Sequence, residues 1–350
     1  MADGSRIYPI PLAIASVVIV GIFLHFISDA FLMFVAALFL ANIFMPLVQA
    51  LRNRKIPMVF SILLVLSLVG AVLFGVILVI SSSVTSITEV MPRYEAKWTH
   101  TLLPQISELF GRISPSVASQ ITAFDLNSLV APSKIMGALS SVSSLISSFA
   151  LILLFMLFIL ASNGQFLLKI EQAFPPSGSF HLNSIVANIE RRVRTYLLTT
   201  LLINTAAGIT MTVVLLLFGV DLALLWGILT FILMFIPSIG SIIAIIIPIA
   251  VSFLQFDTVG TPILITISVI VTQLLIGSYI APKVMGSTLN LSPLLIIVSI
   301  IFWGWVWGPL GMILAVPITS AITIIFENLD PLKPLAILMS AGSGASGSKK

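Results

Sequence analysis

Between Trp226 and Pro317, long apolar runs are twice interrupted by proline and glycine and then resumed. The first interruption is Phe235-Ile-Pro-Ser-Ile-Gly-Ser241, after which an apolar run continues to Pro248. The second is Phe302-Trp-Gly-Trp-Val-Trp-Gly-Pro309-Leu-Gly-Met312, followed by an apolar run to Pro317. A helix broken at membrane depth strands backbone N–H and C=O groups that hydrocarbon cannot satisfy, so the break persists only where protein or a water-filled cavity receives it. Paired interruptions of this kind point to the substrate path of a transporter.

The membrane setting follows from composition. Hydrophobic residues make up 59% of the 350 and charged residues 8%, which excludes a soluble globule. The formal net charge of +4 is small for so apolar a chain, so it reads as a topology signal; no nucleic-acid partner is expected. With no cysteine, disulfides, thiolate metal sites and cysteine nucleophiles are excluded together. The sequence has no G-x-x-x-x-G-K-[ST], H-E-x-x-H or G-x-S-x-G motif, and no span carries paired aspartates or a serine with a histidine. We therefore expect no enzyme, no cofactor and no metal. Any transport must be secondary or facilitated.

The pattern predicts an all-α polytopic membrane protein of about eight transmembrane helices, including two Pro/Gly-broken hairpins, with an amphipathic helical insertion outside the membrane. Residues 1–80 hold spans 1 to 3. Arg52, Arg54 and Lys55, between spans 2 and 3, place that loop and the N-terminus in the cytoplasm by the positive-inside rule. Residues 81–140 form the outer helical insertion, with apolar positions such as Val84, Ile87, Met91, Tyr94 and Trp98 at helical spacing. Residues 141–162 contain span 4, and residues 163–196 a cytoplasmic amphipathic segment whose polar face carries Glu190, Arg191, Arg192 and Arg194. Residues 197–328 form the core with the two broken hairpins, and residues 329–350 a cytoplasmic tail. The last apolar stretch, Leu294 to Phe326, reads either as a hairpin or as one unwound helix.

No Asp, Glu, Lys or Arg falls at the centre of a predicted span. The nearest groups that could couple an ion are Asp221, opening the first hairpin as its N-cap, and His25 near the end of span 1. The remaining polar groups are neutral: Asn204 and Thr205 in span 5, Ser238 and Ser241 at the first break, and Gln273 in span 8. Asn290 and Ser292 add to them from an inner loop that also contains Pro282 and Gly286. Together with the backbone at Pro237, Gly240, Gly304, Gly308, Pro309 and Gly311, these residues are the candidate path. Such groups suit a small uncharged or polyhydroxylated solute, because each exchanges water's hydrogen bonds for its own, and the helix N-termini after each break also admit a weakly anionic one. Trp303, Trp305 and Trp307 read as anchors at the membrane interface or, with the second break at mid-depth, as residues that line or seal the path.

The motifs Phe235-Ile-Pro-Ser-Ile-Gly-Ser241 with Pro248, Pro282-Lys-Val-Met-Gly286, Leu289-Asn-Leu-Ser292, Phe302-Trp-Gly-Trp305, Gly308-Pro-Leu-Gly-Met312 with Pro317, and Asn42-Ile-Phe-Met-Pro46 are together specific, and they extend over nearly the whole chain. In them the sequence resembles the autoinducer-2 exporter family of bacterial inner-membrane transporters. The resemblance implies a multi-pass inner-membrane protein, assembled as a homo-oligomer and by family likeness a pentamer; both termini are cytoplasmic by the positive-inside rule when the last apolar stretch is a hairpin. It also implies export of a small signalling metabolite in some members and sodium/proton exchange in others. Ala281 replaces an acidic residue frequent in relatives before Pro-Lys, and Thr199-Thr200 stands where relatives often carry a lysine. Both departures weigh against cation exchange.

The expectation is thus a secondary exporter of a small polar metabolite, of the autoinducer-2 type, in which the broken hairpins give alternating access within the lipid bilayer. The rival readings are a sodium or lithium/proton antiporter and a membrane scaffold.

Overall fold

A computed structural model describes residue 21 and residues 28–111, 132–162, 182–285, 291–329 and 332–341. His25, Gly286 and Asn290 lie outside these residues, as does the part of the predicted cytoplasmic tail from Gly342 onward. The described chain is helical apart from one isolated antiparallel bridge, Leu291 to Ser340.

Helix α1 is Ser28–Asn53. Helix α2, Met58–Lys97, continues through a π-helical turn, Trp98–Leu102, into α3, Leu103–Gly111. Next come α4, Pro132–Ala161, and α5, Leu182–Leu217. Helices α6, Ala223–Leu233, and α7, Ile239–Gln255, flank the first break. Helix α8, Gly260–Leu274, passes through a second π-helical stretch, Leu275–Ile280, into α9, Ala281–Met285. Helix α10, Pro293–Glu327, holds the second break, and α11 is Lys333–Met339.

Length explains several of these elements. A hydrocarbon core of about 30 Å takes some 20 helical residues. The 40 residues of α2 and the 36 of α5 therefore run well past it. The predicted outer insertion begins as a continuation of the third span, and the basic segment around Arg191 is the first part of the fifth. By contrast α6, with 11 residues, and α7, with 17, reach only about 16 and 25 Å, too short for comfortable spans. Five described stretches are long and apolar enough to cross a membrane. Large apolar side chains such as Leu63, Phe74, Ile209 and Ile301 are exposed, as lipid-facing residues must be.

Pro282 was expected in a loop, but it lies in α9. The preceding π-helical stretch carries the helix on, with the Ala281 N–H reaching back to the Ile276 carbonyl. π-Bulges insert such a longer-range bond without ending the helix.

The chain forms two compact units, residues 1–66 with 151–199 and 285–350, and residues 67–150 with 200–284. The first contains α1 and α10 with α11. Its core includes Ala37, Ala41, Met156, Leu160, Leu314 and Ala315. The second contains α6 to α8, built around Met211, Leu215, Val220, Ala223, Ile265 and Val269. Within it α5 and α6 approach at Gly208 and Gly227. A Cβ on Gly227 would lie 1.7 Å from the Thr212 hydroxyl and 2.7 Å from the Gly208 carbonyl oxygen, so only glycine admits this spacing.

Candidate functional site: two broken hairpins

The first break lies in the second unit. Ser238 has φ 65°, ψ −52°, and the Ile239 N–H donates to the Pro237 carbonyl at 2.8 Å, a tight γ-turn that non-glycine residues rarely adopt. The Gly240 N–H bonds the Ile236 carbonyl at 3.0 Å, and the Ser241 hydroxyl donates to the Ser238 carbonyl at 3.0 Å. A Cβ on Gly240 would sit 1.7 Å from the Leu233 carbonyl oxygen. The chain therefore doubles back on itself, with the end of α6 against the start of α7.

Two predicted polar residues meet this tip. Buried Asn204 of α5, with its amide assigned the orientation that satisfies both neighbours, donates to the Thr200 carbonyl and accepts from the Phe235 N–H, both at 3.2 Å. Phe235 is the first residue of the break, and its N–H also reaches the Ile232 carbonyl at 3.2 Å. The stranded backbone thus finds protein, as the sequence argument required. Buried Gln273 of α8 donates to the Met234 sulfur at 3.3 Å. Thr205 does not join: it is exposed, and its hydroxyl returns to the Leu201 carbonyl of its own helix at 2.7 Å.

The second break lies in the first unit, inside α10. Trp307 (φ −130°, ψ 15°) and Gly308 (φ 63°, ψ −148°) leave the helical region. Gly308 has a dihedral pair that side chains exclude. The Trp303 indole N–H donates to the Thr319 hydroxyl at 3.3 Å, and a Cβ on Gly311 would lie 2.0 Å from the Trp303 carbonyl oxygen. In one continuous helix, residues 303 and 319 would be about 24 Å apart. The segment is therefore a hairpin with arms 293–306 and 309–327, which decides between the two readings the sequence left open. Gly304 faces Met312, whose side chain would touch an added Cβ at 2.8 Å. Trp303 and Trp307 are buried with their rings in tilted contact at 4.9 Å between centroids, whereas Trp305 is 57% exposed. Only Trp305 thus has the exposure that the predicted interface position needs. The other two are buried because the second arm folds back over them.

Ser292 caps the hairpin's first arm. Its hydroxyl accepts from the Leu295 N–H at 3.1 Å, and its own N–H donates to the Met339 carbonyl at 3.0 Å. Helix α11 thus returns to the hairpin's start. Pro282 is exposed.

Asp221 was expected to cap α6. Instead Leu222, with φ 59°, occupies the N-cap without a side-chain bond. The Asp221 carboxylate is taken by the Arg93 guanidinium and by the Tyr94 hydroxyl at 2.7 Å, both from α2. The Arg93 guanidinium brings a full opposite charge to the carboxylate, which the free N–H groups of a helix start do not, and the Tyr94 hydroxyl shares the same oxygen. Burial and the adjacent carboxylate hold the Tyr94 phenol well above the usual tyrosine range, so it stays a donor. The Gln255 carboxamide accepts from the Asp221 N–H and donates to the Gly219 carbonyl, both at 2.7 Å. Lys97 donates to the Phe256 carbonyl and lies 3.7 Å from the Asp257 carboxylate. Sequence reasoning missed Arg93, Lys97 and Gln255. Charged residues in a chain with so few were an available signal, but their partners lie more than 100 residues away. Among the described residues no cluster of His, Cys, Asp and Glu could hold a metal.

The model of a family described as "AI-2E family transporter" matches residues 13–330. The AI-2 transport protein TqsA of Escherichia coli is 29% identical over 333 residues, covering 95% of this chain and 94% of that protein. A Haemophilus influenzae protein named "Putative transport protein" is 30% identical over 357 residues, covering 97% and 98%. A Borreliella burgdorferi protein of the same name is 32% identical over 194 residues, covering 55% and 54%.

Proposed function

This chain belongs to the AI-2E family of transporters, and on that premise we propose that it exports a small polar metabolite of the autoinducer-2 type from the bacterial cell. Membership makes it a multi-pass membrane transporter; the solute, direction and mechanism are our reading. The observation that carries it is the pair of hairpins, each turned at a Pro/Gly break and each closed by a glycine against the opposite arm's carbonyl. The name of TqsA supplies the solute class. The residues assigned to solute handling are Pro237, Ser238, Gly240, Ser241, Asn204 and Gln273 around the first tip. At the second they are Gly304, Gly308, Pro309 and Gly311, with Ser292 at the base of its hairpin. All are neutral, in keeping with a solute recognised by hydrogen bonds rather than charge. The hairpins act as the moving parts of an alternating-access cycle.

The engagement of Asp221 by Arg93 and Tyr94 supports export over cation exchange, since this carboxylate is already paired with protein groups rather than open to a solute cation.

Counterflow of labelled autoinducer-2 into vesicles containing the purified chain tests the proposal. Pro237→Ala and Gly308→Ala, in protein that still inserts, should each cut the initial rate by roughly tenfold or more, the scale of about 1.4 kcal/mol. Unchanged rates in both would place the path elsewhere.

A further inference from the structure

The search for a role for the helical extension of α2 leads to the base of the first hairpin. We propose that residues 93–97 of α2 form a strut that holds both feet of the α6–α7 hairpin, so that strut and feet stay together through transport and the hairpin works at its tip. This inference rests on the export reading above and extends it to the residues that position the hairpin.

Lys97 stands one turn beyond Arg93 and Tyr94 on α2. Arg93 and Tyr94 grip Asp221, at the foot that leads into α6. Lys97 grips the Phe256 carbonyl at the foot that leaves α7 and approaches Asp257. Gln255 then ties one foot to the other, accepting from the Asp221 N–H and donating to the Gly219 carbonyl. The Trp226 indole donates to the Asp221 carbonyl at 3.0 Å and secures the first turn of α6.

The opposite end of the hairpin is held differently. Its turn places Ser238 in a conformation that costs strain, and its outside support comes from the neutral amides of Asn204 and Gln273. The foot is held by a linked set of bonds, with the buried Tyr94 hydroxyl and the Arg93 guanidinium on one carboxylate and the Gln255 amide on the backbone beside it, whereas each tip amide makes a single bond to the hairpin. A rod tied at many points at its base and at few at its tip yields at the tip. Neutral partners at the tip can also be exchanged for solute hydroxyls at little cost, whereas parting Arg93 from Asp221 would leave two charges unpaired.

The absence of native cysteine allows a direct test. In Arg93→Cys/Asp221→Cys the ionic grip is gone, and counterflow of labelled autoinducer-2 should fall roughly tenfold in maximal rate, with KM within about twofold. Joining the two cysteines with a short bis-methanethiosulfonate linker should restore most of the rate, and reductant should remove the gain. A linked protein that stays slow, or slows further, overturns the proposal, because the feet would then have to separate during the cycle. A second measurement does not depend on transport. Tyr94→Phe removes a single hydroxyl, and amide hydrogen exchange should quicken at residues 218–222 and 255–258 while residues 236–240 are unchanged. Exchange unaltered at the feet refutes the strut. If the native chain moves no labelled solute, the export reading fails while the exchange result still decides this one.

Discussion

Thr200 departs from the habit of its neighbours. Thr205, Thr212, Thr230 and Thr272 each return the hydroxyl to the carbonyl four residues back, at 2.7–2.9 Å. The Thr200 hydroxyl is buried and finds no partner among the described residues, although the residue lies one turn from Asn204 and its bond to the break. An unsatisfied buried hydroxyl costs about 1–3 kcal/mol. Valine has nearly the same shape without that cost. Thr200→Val should therefore raise the thermal midpoint in detergent, by a stabilisation of roughly 1 kcal/mol. A lowered midpoint would mean that the hydroxyl is bonded in the membrane. At this scale the sequence was a fair guide to residue type but not to direction. It grouped Asn204 with Thr205, yet successive helical residues point about 100° apart, and only Asn204 turns to the tip.

The hairpins repeat one device at the scale of the element. In each, a glycine early in the second arm lies where any side chain would strike the carbonyl of the first: Gly240 against Leu233 and Gly311 against Trp303. Alanine at either site should destabilise the protein by about 1–3 kcal/mol or more, since neither carbonyl can move without opening its hairpin. Gly75→Ala in α2 is the control. Nothing lies within 4 Å of its added Cβ, so it should be neutral or gain up to about 1 kcal/mol of helix propensity. Parallel melts of the three variants check the ranking. Equal midpoints for all three would show that the close approaches do not hold the turns. The breaks were legible in sequence because proline and glycine act locally on the backbone. The fold of α10 was not, since a helix interrupted by two residues can continue or reverse. The bond from Trp303 to Thr319 and the fit of Gly311 record the reversal.

For the whole molecule, the distribution of bases predicts that the loop at Arg52 to Lys55 is cytoplasmic and that the hairpin feet, one apolar span of α2 away, lie outside. Single cysteines at Arg54 and Asp257 should therefore label from opposite sides of intact cells with a membrane-impermeant maleimide, Asp257→Cys from outside and Arg54→Cys only after permeabilisation. The same side for both would reverse the expected order of spans. Composition and periodicity by themselves determined that the chain is helical, resident in lipid and twice broken, because these properties depend on residues near one another in sequence and on how each prefers hydrocarbon or water. The tertiary structure alone decided that the last apolar run doubles back, that Asp221 belongs to Arg93 rather than to its own helix, and that Asn204 supplies the break with its bond. Those outcomes turn on which helix faces meet across long stretches of chain. Helical phase and packing set that meeting, and no local preference encodes it.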